Sequence, residues 1–351
     1  MLKTVSIVST QMQLVNSVEY IKTCVNAPAH HFLVVCTGSK NRRRQIDSLL
    51  KCPCYNQVFS QTEYISLASR PFFYLKEIIC KYKLSRLFSD NFFDIIVAGN
   101  FLSIYHRYFQ FVCGRKNRGA KYVFVDDGTA TAESVPLRKK ELTTGILQCL
   151  QFSRSVKFLY FTLDPSFKSF VPDSVSFFSV YKNLDFPKKD EFTTCEYSYT
   201  KQLRFEDSSK FDNLDVVIIG QPLVSAGIMR KDRYNEILNS FIKGVPNKRT
   251  IIAYVPHPSE DIQVSLEANT RNKCIIMRPS IPFELWLITH DIRCLVGYYS
   301  SALVNTHYLF PDLKIISLFP VEIQKSTDLF HEEARESYEY IKEIGIEVRS
   351  V

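Results

Sequence analysis

The sequence predicts an α/β protein made of two doubly wound domains in succession. In the first half, short apolar runs alternate with longer mixed segments, and strands that are apolar throughout are typical of parallel sheets covered by helices on both faces. Across residues 187–212 this pattern gives way to paired Thr, paired Ser and a Lys-Lys-Asp-Glu run, and then it begins again. We therefore predict a first domain at 1–186, a linker at 187–212 and a second domain at 213–351.

Short apolar runs predict the strands of the first domain. They are residues 5–8, 32–36, 58–59, 93–98, 122–125, 158–162 and 174–181. Helix-like stretches lie between the first four of these runs, at residues 20–24, 41–50 and 73–87. Because helices separate these first strands, which are apolar throughout, the sheet is expected to be parallel.

The second domain shows the same alternation. Its predicted strands are residues 214–219, 250–255, 274–277, 292–296 and 314–318, and its predicted helices are residues 231–242 and 332–344. The last helix has the acidic start that the helix dipole favours.

The composition is that of a globular protein, with 46% hydrophobic and 23% charged residues among 351, which is enough for two full cores. Glycine is scarce at 11 residues. The Gly-rich phosphate loops of dinucleotide-binding and P-loop proteins do not occur in the sequence. The ten cysteines are scattered and predict reduced thiols.

The net charge of +8 is concentrated in the first half of the chain. Residues 1–175 hold 23 Lys and Arg against 12 Asp and Glu, with clusters at 42–44, 115–118 and 138–140. Such clusters indicate either a solvated surface or a surface that attracts an anionic partner such as a membrane. No nucleic-acid-binding motif accompanies them, so no nucleic-acid partner is expected. Without a signal peptide or a bilayer-spanning run, we expect a cytoplasmic protein.

Two adjacent carboxylates follow a predicted strand. Asp126 and Asp127 come directly after the apolar run 122–125, and Gly128 allows the chain to turn. Since consecutive strand residues point in opposite directions, one carboxylate should face the ligand edge of the sheet while the other supports the loop. A carboxylate beside an acceptor hydroxyl can serve as a general base, and an Asx turn, a helix cap or a metal site are the other interpretations.

A histidine follows a strand of the second domain. His257 lies just past residues 250–255, between Pro256 and Pro258, which restrict the backbone around it. A fixed imidazole at a strand end suits a phosphate, as a hydrogen-bond donor or as a general acid, and a structural histidine is the alternative. Glu260 and Asp261 are expected to help keep this imidazole charged.

Two further segments of the second domain predict contacts with a nucleotide. Ser300 and Ser301 open a helix just after Gly297, where backbone N–H groups and hydroxyls can hold a phosphate, although a serine N-cap explains them equally. Glu284 starts a short apolar helix, where it either complements the helix dipole or accepts hydrogen bonds from both ribose hydroxyls. With the carboxylates and the imidazole, these groups could move a sugar from a phosphate to a hydroxyl.

Three short motifs of this chain resemble those of the bacterial sialyltransferases of the GT-B type. They are Asp126-Asp127-Gly128, His257-Pro258 and Ser300-Ser301. The Pro-Phe-Glu stretch ending at Glu284 is similar to the segment that binds the ribose in those enzymes. By size and spacing the chain looks most like the lipooligosaccharide sialyltransferases of family GT52. The resemblance implies two Rossmann-like domains that face a central cleft.

The resemblance also implies an activity. This is the inverting, metal-independent transfer of sialic acid from CMP-sialic acid, without a cofactor, to a terminal sugar of a lipooligosaccharide, O-antigen or capsule, with galactose expected. Asp126 would deprotonate the acceptor with support from Asp127, and His257 would bind or protonate the leaving phosphate. Ser300 and Ser301 would hold that phosphate.

Other functions remain open on the sequence alone. One alternative is a polysialyltransferase or an enzyme that uses a related CMP-nonulosonate, and another is a non-catalytic protein that binds a nucleotide or an anionic glycan. The basic first half suits a lipid-linked acceptor at the anionic inner face of the cytoplasmic membrane. Similar enzymes form homodimers, and the abundant aromatic residues of this chain would permit one.

Overall fold

The chain forms two compact units, residues 1–203 and 204–351. The computed structural model describes residues 1–65, 92–126, 130–146, 164–181, 184–203, 214–246, 249–257, 272–279, 281–325 and 329–351, together with residues 260, 264, 266 and 267. Each unit contains a parallel sheet and helices. Within these ranges, no helix has both the length and the apolar composition that crossing a bilayer requires.

The first unit is built on a seven-stranded sheet in which the described strand pairs are all parallel. Its strands are β1 (Leu2–Val8), β2 (Ala29–Cys36), β3 (Gln61–Ile65), β4 (Ile95–Ala98), β5 (Lys121–Val125), β6 (Ser176–Ser179) and β7 (Glu191–Thr194). Its α-helices are α1 (Gln11–Cys24), α2 (Lys40–Leu50), α3 (Pro53–Asn56), α4 (Ile104–Gly114) and α5 (Ala130–Thr144). The strand order is β3-β2-β1-β4-β5-β6-β7, so the order reverses between β1 and β4, where doubly wound sheets bind ligands.

The second unit repeats this plan. Its strands are β8 (Leu214–Ile219), β9 (Ile251–Val255), β10 (Lys273–Ile276), β11 (Ile292–Gly297), β12 (Lys314–Phe319) and β13 (Glu347–Ser350). Its helices are α6 (Lys231–Gly244), α7 (Phe283–Ile288), α8 (Ser301–Leu309), α9 (Val321–Lys325) and α10 (Leu329–Glu343). The order β10-β9-β8-β11-β12-β13, parallel throughout, reverses between β8 and β11.

The strands that the sequence predicted correctly are the apolar ones. In β1 and β8 the central residues Ile7 and Val217 are fully buried, as expected where helices cover both faces. The run 58–59 is not a strand: Val58 and Phe59 are buried in the turn after α3, and the strand is β3. The predicted helix at 73–87 and strand at 158–162 lie outside the described residues.

Two edge strands were missed because their sequences are polar. β7 pairs with β6 and alternates exposed and half-buried residues, and β13 pairs with β12 and has three exposed residues and one half-buried residue. An edge strand can carry charged side chains because one of its sides lacks a partner strand. β7 lies inside the segment 187–212 that was predicted as a linker, and the first unit extends to Leu203.

A buried ionic cluster explains part of the basic charge. Arg138 is fully buried, and its guanidinium donates to Asp190 Oδ2 at 3.0 Å and to Glu141 Oε2 at 3.0 Å. Glu141 also pairs with Arg107, which is buried as well. Arg138 is therefore not part of an anion-attracting surface, which corrects that interpretation for this residue, whereas Lys139 and Lys140 are exposed. Asp190, in the predicted linker, fixes that segment to α5.

Candidate functional site

Asp126 supports the carboxyl edge of the first sheet. It follows β5 directly, is 1% exposed, and its Oδ2 accepts the backbone N–H of Val180, just after β6, at 2.7 Å. Its carbonyl oxygen accepts a hydrogen bond from Asn16 Nδ2 on α1 at 3.0 Å. Of the two roles expected for the adjacent carboxylates, this contact is the supporting one. Asp127 and Gly128 lie outside the described residues.

A serine and a histidine meet at the point where the strand order of the first sheet reverses. Ser9 follows β1, and its Oγ donates to the carbonyl oxygen of Cys36 at 2.6 Å. The hydroxyl has one hydrogen, so the 2.7 Å contact with His106 Nε2 is a hydrogen bond donated by the imidazole. His106 is fully buried on α4, and burial lowers its pKa from 6.5 to about 3. A serine after the first strand and a histidine in an apolar helix were signals that the sequence analysis did not use.

This pair predicts a pH-dependent stability. The folded protein keeps His106 neutral down to about pH 3, whereas the unfolded chain takes up a proton below about pH 6.5. The free energy of unfolding therefore decreases as the pH is lowered from 6.5 to 3. Replacing His106 by glutamine keeps a donor for Ser9 and removes the titration. Between pH 7 and pH 5, the free energy of unfolding should fall by about 2 kcal/mol less in His106→Gln than in the wild type.

Urea titrations at the two pH values measure this difference. The exposed His30 supplies the control, since His30→Gln should keep the pH dependence of the wild type. An unchanged pH dependence in His106→Gln would show that His106 does not carry the effect.

His257 lies immediately beyond β9 at the carboxyl edge of the second sheet. Its imidazole is half-buried, and burial lowers its pKa below 6.5. Glu260 contacts the backbone of this residue: Glu260 Oε2 accepts the N–H of His257 at 3.0 Å. The contact that the structure describes between these two residues therefore involves the main chain of His257, and the expectation that Glu260 keeps the imidazole charged stays a prediction. Pro258 and Asp261 lie outside the described residues.

Ser300 caps the helix that begins at Ser301. Its hydroxyl accepts the backbone N–H of Ala302 at 3.3 Å, and both serines are half-buried. The N-cap alternative therefore describes Ser300 in this structure. The helix α8 has nine residues, and its capped N-terminus still presents backbone N–H groups that favour an anion.

Glu284 lies in the first turn of α7 and is 6% exposed. Its Oε1 accepts a hydrogen bond from Asn305 Nδ2 on α8 at 3.0 Å, and burial raises the pKa of its carboxyl group. Asn305 therefore connects Glu284 to the helix that Ser300 caps. Asn305 was missed by the sequence analysis, although an asparagine within the apolar run Leu-Val-Asn-Thr was a usable signal.

The second unit brings three of its four predicted positions to one edge of the sheet. β9 and β11 both neighbour β8, and His257 and Ser300 follow their carboxyl ends, with Ser301 next along the chain. Glu284 is connected to this edge by the hydrogen bond that it accepts from Asn305 on α8. In the first unit, Asp126 and Ser9 both lie at the carboxyl edge of the sheet, directly after β5 and β1 respectively. In the described ranges, no group of three or more His, Cys, Asp or Glu is placed to hold a metal ion.

Two doubly wound units in succession, with polar residues at their carboxyl edges, are the architecture of the GT-B fold. The α/β-galactoside α-2,3-sialyltransferase of Photobacterium phosphoreum is similar over 99% of this chain and 98% of its own, with a TM-score of 0.51 at 13% identity. A UDP-N-acetylglucosamine 2-epimerase is similar over 99% and 83%, with a TM-score of 0.54 at 9% identity. Arabidopsis thaliana UGT89C1, solved with UDP-L-rhamnose, is similar over 99% and 85%, with a TM-score of 0.50 at 9% identity.

The chain belongs to the alpha-2,8-polysialyltransferase family (POLYST), which matches residues 5–319. No curated protein matches the chain. The predictions of a bacterial sialyltransferase and of the GT-B fold are confirmed, and with them an enzyme that takes a nucleotide-sugar donor and a glycan acceptor. Membership of family GT52 in particular is not confirmed and stays a prediction.

Proposed function

We propose that the protein transfers sialic acid from CMP-sialic acid to a glycan hydroxyl with inversion at the anomeric carbon. One observation carries this proposal: an imidazole and a capped helix N-terminus share the carboxyl edge of one parallel sheet, and a buried carboxylate is hydrogen-bonded to that helix. His257 and the start of α8 offer hydrogen-bond donors to a phosphate, and Glu284 offers an acceptor to ribose hydroxyls. This combination suits a nucleoside monophosphate.

The proposed mechanism places each group where charge changes. As the bond to the phosphate breaks, the sugar becomes oxocarbenium-like and the phosphate gains negative charge, so a donor held on that phosphate contributes about 3–4 kcal/mol to the transition state. His257 is the proposed donor or acid, with Ser300 and Ser301 on the same phosphate. Asp126 is the proposed base for the acceptor, with Asp127, and a base of this kind contributes about 10²- to 10⁴-fold.

We also propose that no metal and no cofactor take part. A sugar monophosphate needs less assistance to leave than a diphosphate, so protein donors are sufficient in this mechanism. Transfer should therefore proceed at the same rate in the presence of EDTA. A rate that collapses with EDTA and returns with a divalent cation would require a different mechanism.

The donor is tested by incubating the purified protein with CMP-sialic acid, with other CMP-nonulosonates and with UDP-sugars. Release of CMP together with a sialylated product is the expected result with CMP-sialic acid only. If a related CMP-nonulosonate is consumed and CMP-sialic acid is not, that compound is the donor. If none of the CMP sugars is consumed with any acceptor, the proposal is wrong.

A polysialyltransferase is a second candidate, and the family match favours it. The two candidates differ in acceptor: a galactose-terminated glycan for a first sialic acid, or an α2,8-linked oligosialic acid for chain extension. Both acceptors should be offered in parallel, and the product linkage determined. Elongation of the oligosialic acid alone would identify a polysialyltransferase, and transfer to galactose alone would identify a monosialyltransferase.

The proposed ribose contact makes a prediction for Glu284→Gln. An ionised carboxylate can accept from Asn305 and from ribose hydroxyls together, and losing a charge-assisted hydrogen bond costs about 1.5–3 kcal/mol. CMP should therefore bind about 10- to 100-fold more weakly to the variant by calorimetry. Its 2′,3′-dideoxy analogue should bind the variant and the wild type equally.

A matched control is the exposed Glu339, where Glu339→Gln should leave both affinities unchanged. If Glu284→Gln weakens CMP and the dideoxy analogue by the same factor, Glu284 does not bind the ribose.

We further propose that the protein acts at the cytoplasmic membrane face as a homodimer. Four basic residues at the start of α2 are exposed, namely Lys40, Arg42, Arg43 and Arg44, and such a patch attracts anionic lipid. Co-sedimentation with anionic vesicles should occur at low salt and be lost in Arg42→Ala/Arg44→Ala. The homodimer is tested by measuring the molar mass of the protein in solution by sedimentation equilibrium.

A further inference from the structure

A chain of buried hydrogen bonds connects the end of β8 to the backbone of His257. The N–H of Gln221, two residues after β8, lies 3.2 Å from the hydroxyl of Tyr234 on α6. The Tyr234 hydroxyl lies 2.9 Å from that of Tyr254 on β9, and the Tyr254 hydroxyl donates to Glu260 Oε1. Glu260 Oε2 accepts the N–H of His257 at 3.0 Å.

The directions of these hydrogen bonds follow from the carboxylate. The Tyr254 hydroxyl donates its one hydrogen to Glu260, so it accepts from the Tyr234 hydroxyl, and the Tyr234 hydroxyl accepts from the N–H of Gln221. Four hydrogens then fill four contacts, and both Glu260 oxygens accept.

The surroundings hold Glu260 in place. Tyr234 and Tyr254 are almost completely buried, and Glu260 is 7% exposed. A Cβ atom at Gly220, just after β8, would collide with Glu260 Oε2 and the Tyr254 hydroxyl, so one of these side chains would have to move. The N–H of Glu260 also donates to the carbonyl oxygen of His257 at 2.8 Å, so two hydrogen bonds join these residues.

We propose that Glu260 is a positioning residue that fixes the main chain of His257 at the sheet edge. One carboxylate oxygen holds the His257 N–H, and the other is anchored through two buried tyrosines to α6 and β8. In this proposal Glu260 acts through His257 and has no contact of its own with the donor sugar. The expected effect on catalysis rests on the proposed function of His257, whereas the positioning of the His257 main chain does not.

The test compares Glu260→Gln in the full-length protein with Glu267→Gln. Glutamine has nearly the same shape but only one accepting oxygen, so either His257 or Tyr254 faces an amide N–H that cannot accept. Glu267 is an exposed carboxylate of the same stretch of chain, paired with Lys243 at the surface, and serves as the matched control. Each protein is assayed for kcat and KM with CMP-sialic acid.

A second measurement reports the imidazole directly. The protein has seven histidines, so the ring resonances can be followed by NMR in histidine-labelled protein, and His257→Asn identifies the signal of His257. The groups that face Glu260 are His257, Tyr254 from β9, Tyr234 from α6 and Arg278 after β10. Burial raises the pKa of Glu260 while Arg278 opposes that shift, so the titration is recorded from pH 5 to pH 8.

We expect Glu260→Gln to lower kcat by up to about 10²-fold, the effect of a displacement of about 1 Å, with little change in KM. The His257 resonance and its titration should shift, and Glu267→Gln should match the wild type in both measurements. An unchanged His257 resonance would overturn the proposal even if kcat fell. A folded Glu260→Gln protein with wild-type kcat would overturn it as well.

Two further comparisons distinguish a failure to fold and a failure of the proposed function from a failure of this proposal. If Glu260→Gln does not fold, Tyr254→Phe interrupts the same chain and should show a smaller loss of kcat with a shifted His257 resonance. If the wild type releases no CMP from any donor, the proposed function fails. The His257 resonance in the two variants then still decides whether Glu260 positions His257.

Discussion

Replacing His257 by alanine is expected to lower sialyl transfer by about 10²- to 10⁴-fold in a protein that folds like the wild type. The imidazole is the proposed donor to the leaving phosphate, where negative charge develops. The backbone N–H of His257, which Glu260 accepts, is kept in the alanine variant. The loss should therefore appear in kcat, measured as CMP release at saturating donor, and the thermal midpoint should change little.

The lowered pKa of His257 adds a pH signature to this prediction. Burial disfavours the imidazolium in the free protein, so kcat/KM should decline as the pH rises through a value below 6.5. A bound phosphate favours the cation, so the decline of kcat should occur at higher pH than that of kcat/KM. His30→Ala is the control at an exposed histidine of the first unit. Near-normal turnover in His257→Ala would remove His257 from the mechanism.

Replacing Asp126 by asparagine is expected to lower transfer by a similar factor, about 10²- to 10⁴-fold, while leaving the fold intact. The amide oxygen of asparagine can still accept the N–H of Val180, so the contact between the ends of β5 and β6 survives. The variant removes only the capacity to take a proton from the acceptor. The rate of transfer and the free energy of unfolding should both be measured.

Two companion variants make this result decisive. Asp126→Ala leaves the buried Val180 N–H without its acceptor, so it should be less stable than Asp126→Asn by about 1–3 kcal/mol. Asp127→Asn tests the neighbouring carboxylate. If Asp126→Asn turns over normally and Asp127→Asn does not, Asp127 is the base and Asp126 only supports the loop.

The parts of the fold that the sequence predicted are those where burial controls residue type. Strand β8 was predicted with its observed bounds because a strand covered on both faces must be apolar along its whole length. Edge strands escape this rule, and β13 has one half-buried residue among three exposed ones. Burial also misled the prediction at Val58 and Phe59, whose apolar character reflects packing in a turn.

The parts of the site that the sequence could not predict depend on partners far along the chain. Arg138 looked like a surface cation because its neighbours in sequence are lysines, yet it pairs with Asp190, 52 residues away. Glu284 was predicted as a ribose ligand, but its partner Asn305 comes 21 residues later on another helix. Motif order indicates which residues belong to a site, and only tertiary contacts give the hydrogen bonds among them.

Gly220 has a consequence for how this sequence can diverge. The space that a side chain would occupy at position 220 is taken by the ends of Tyr254 and Glu260. A relative with alanine at this position would have to move or replace one of these two side chains, and the most direct replacement is a shorter side chain at 254 or 260. The three positions therefore form one unit of evolutionary change, and in an alignment of relatives they should vary together or not at all.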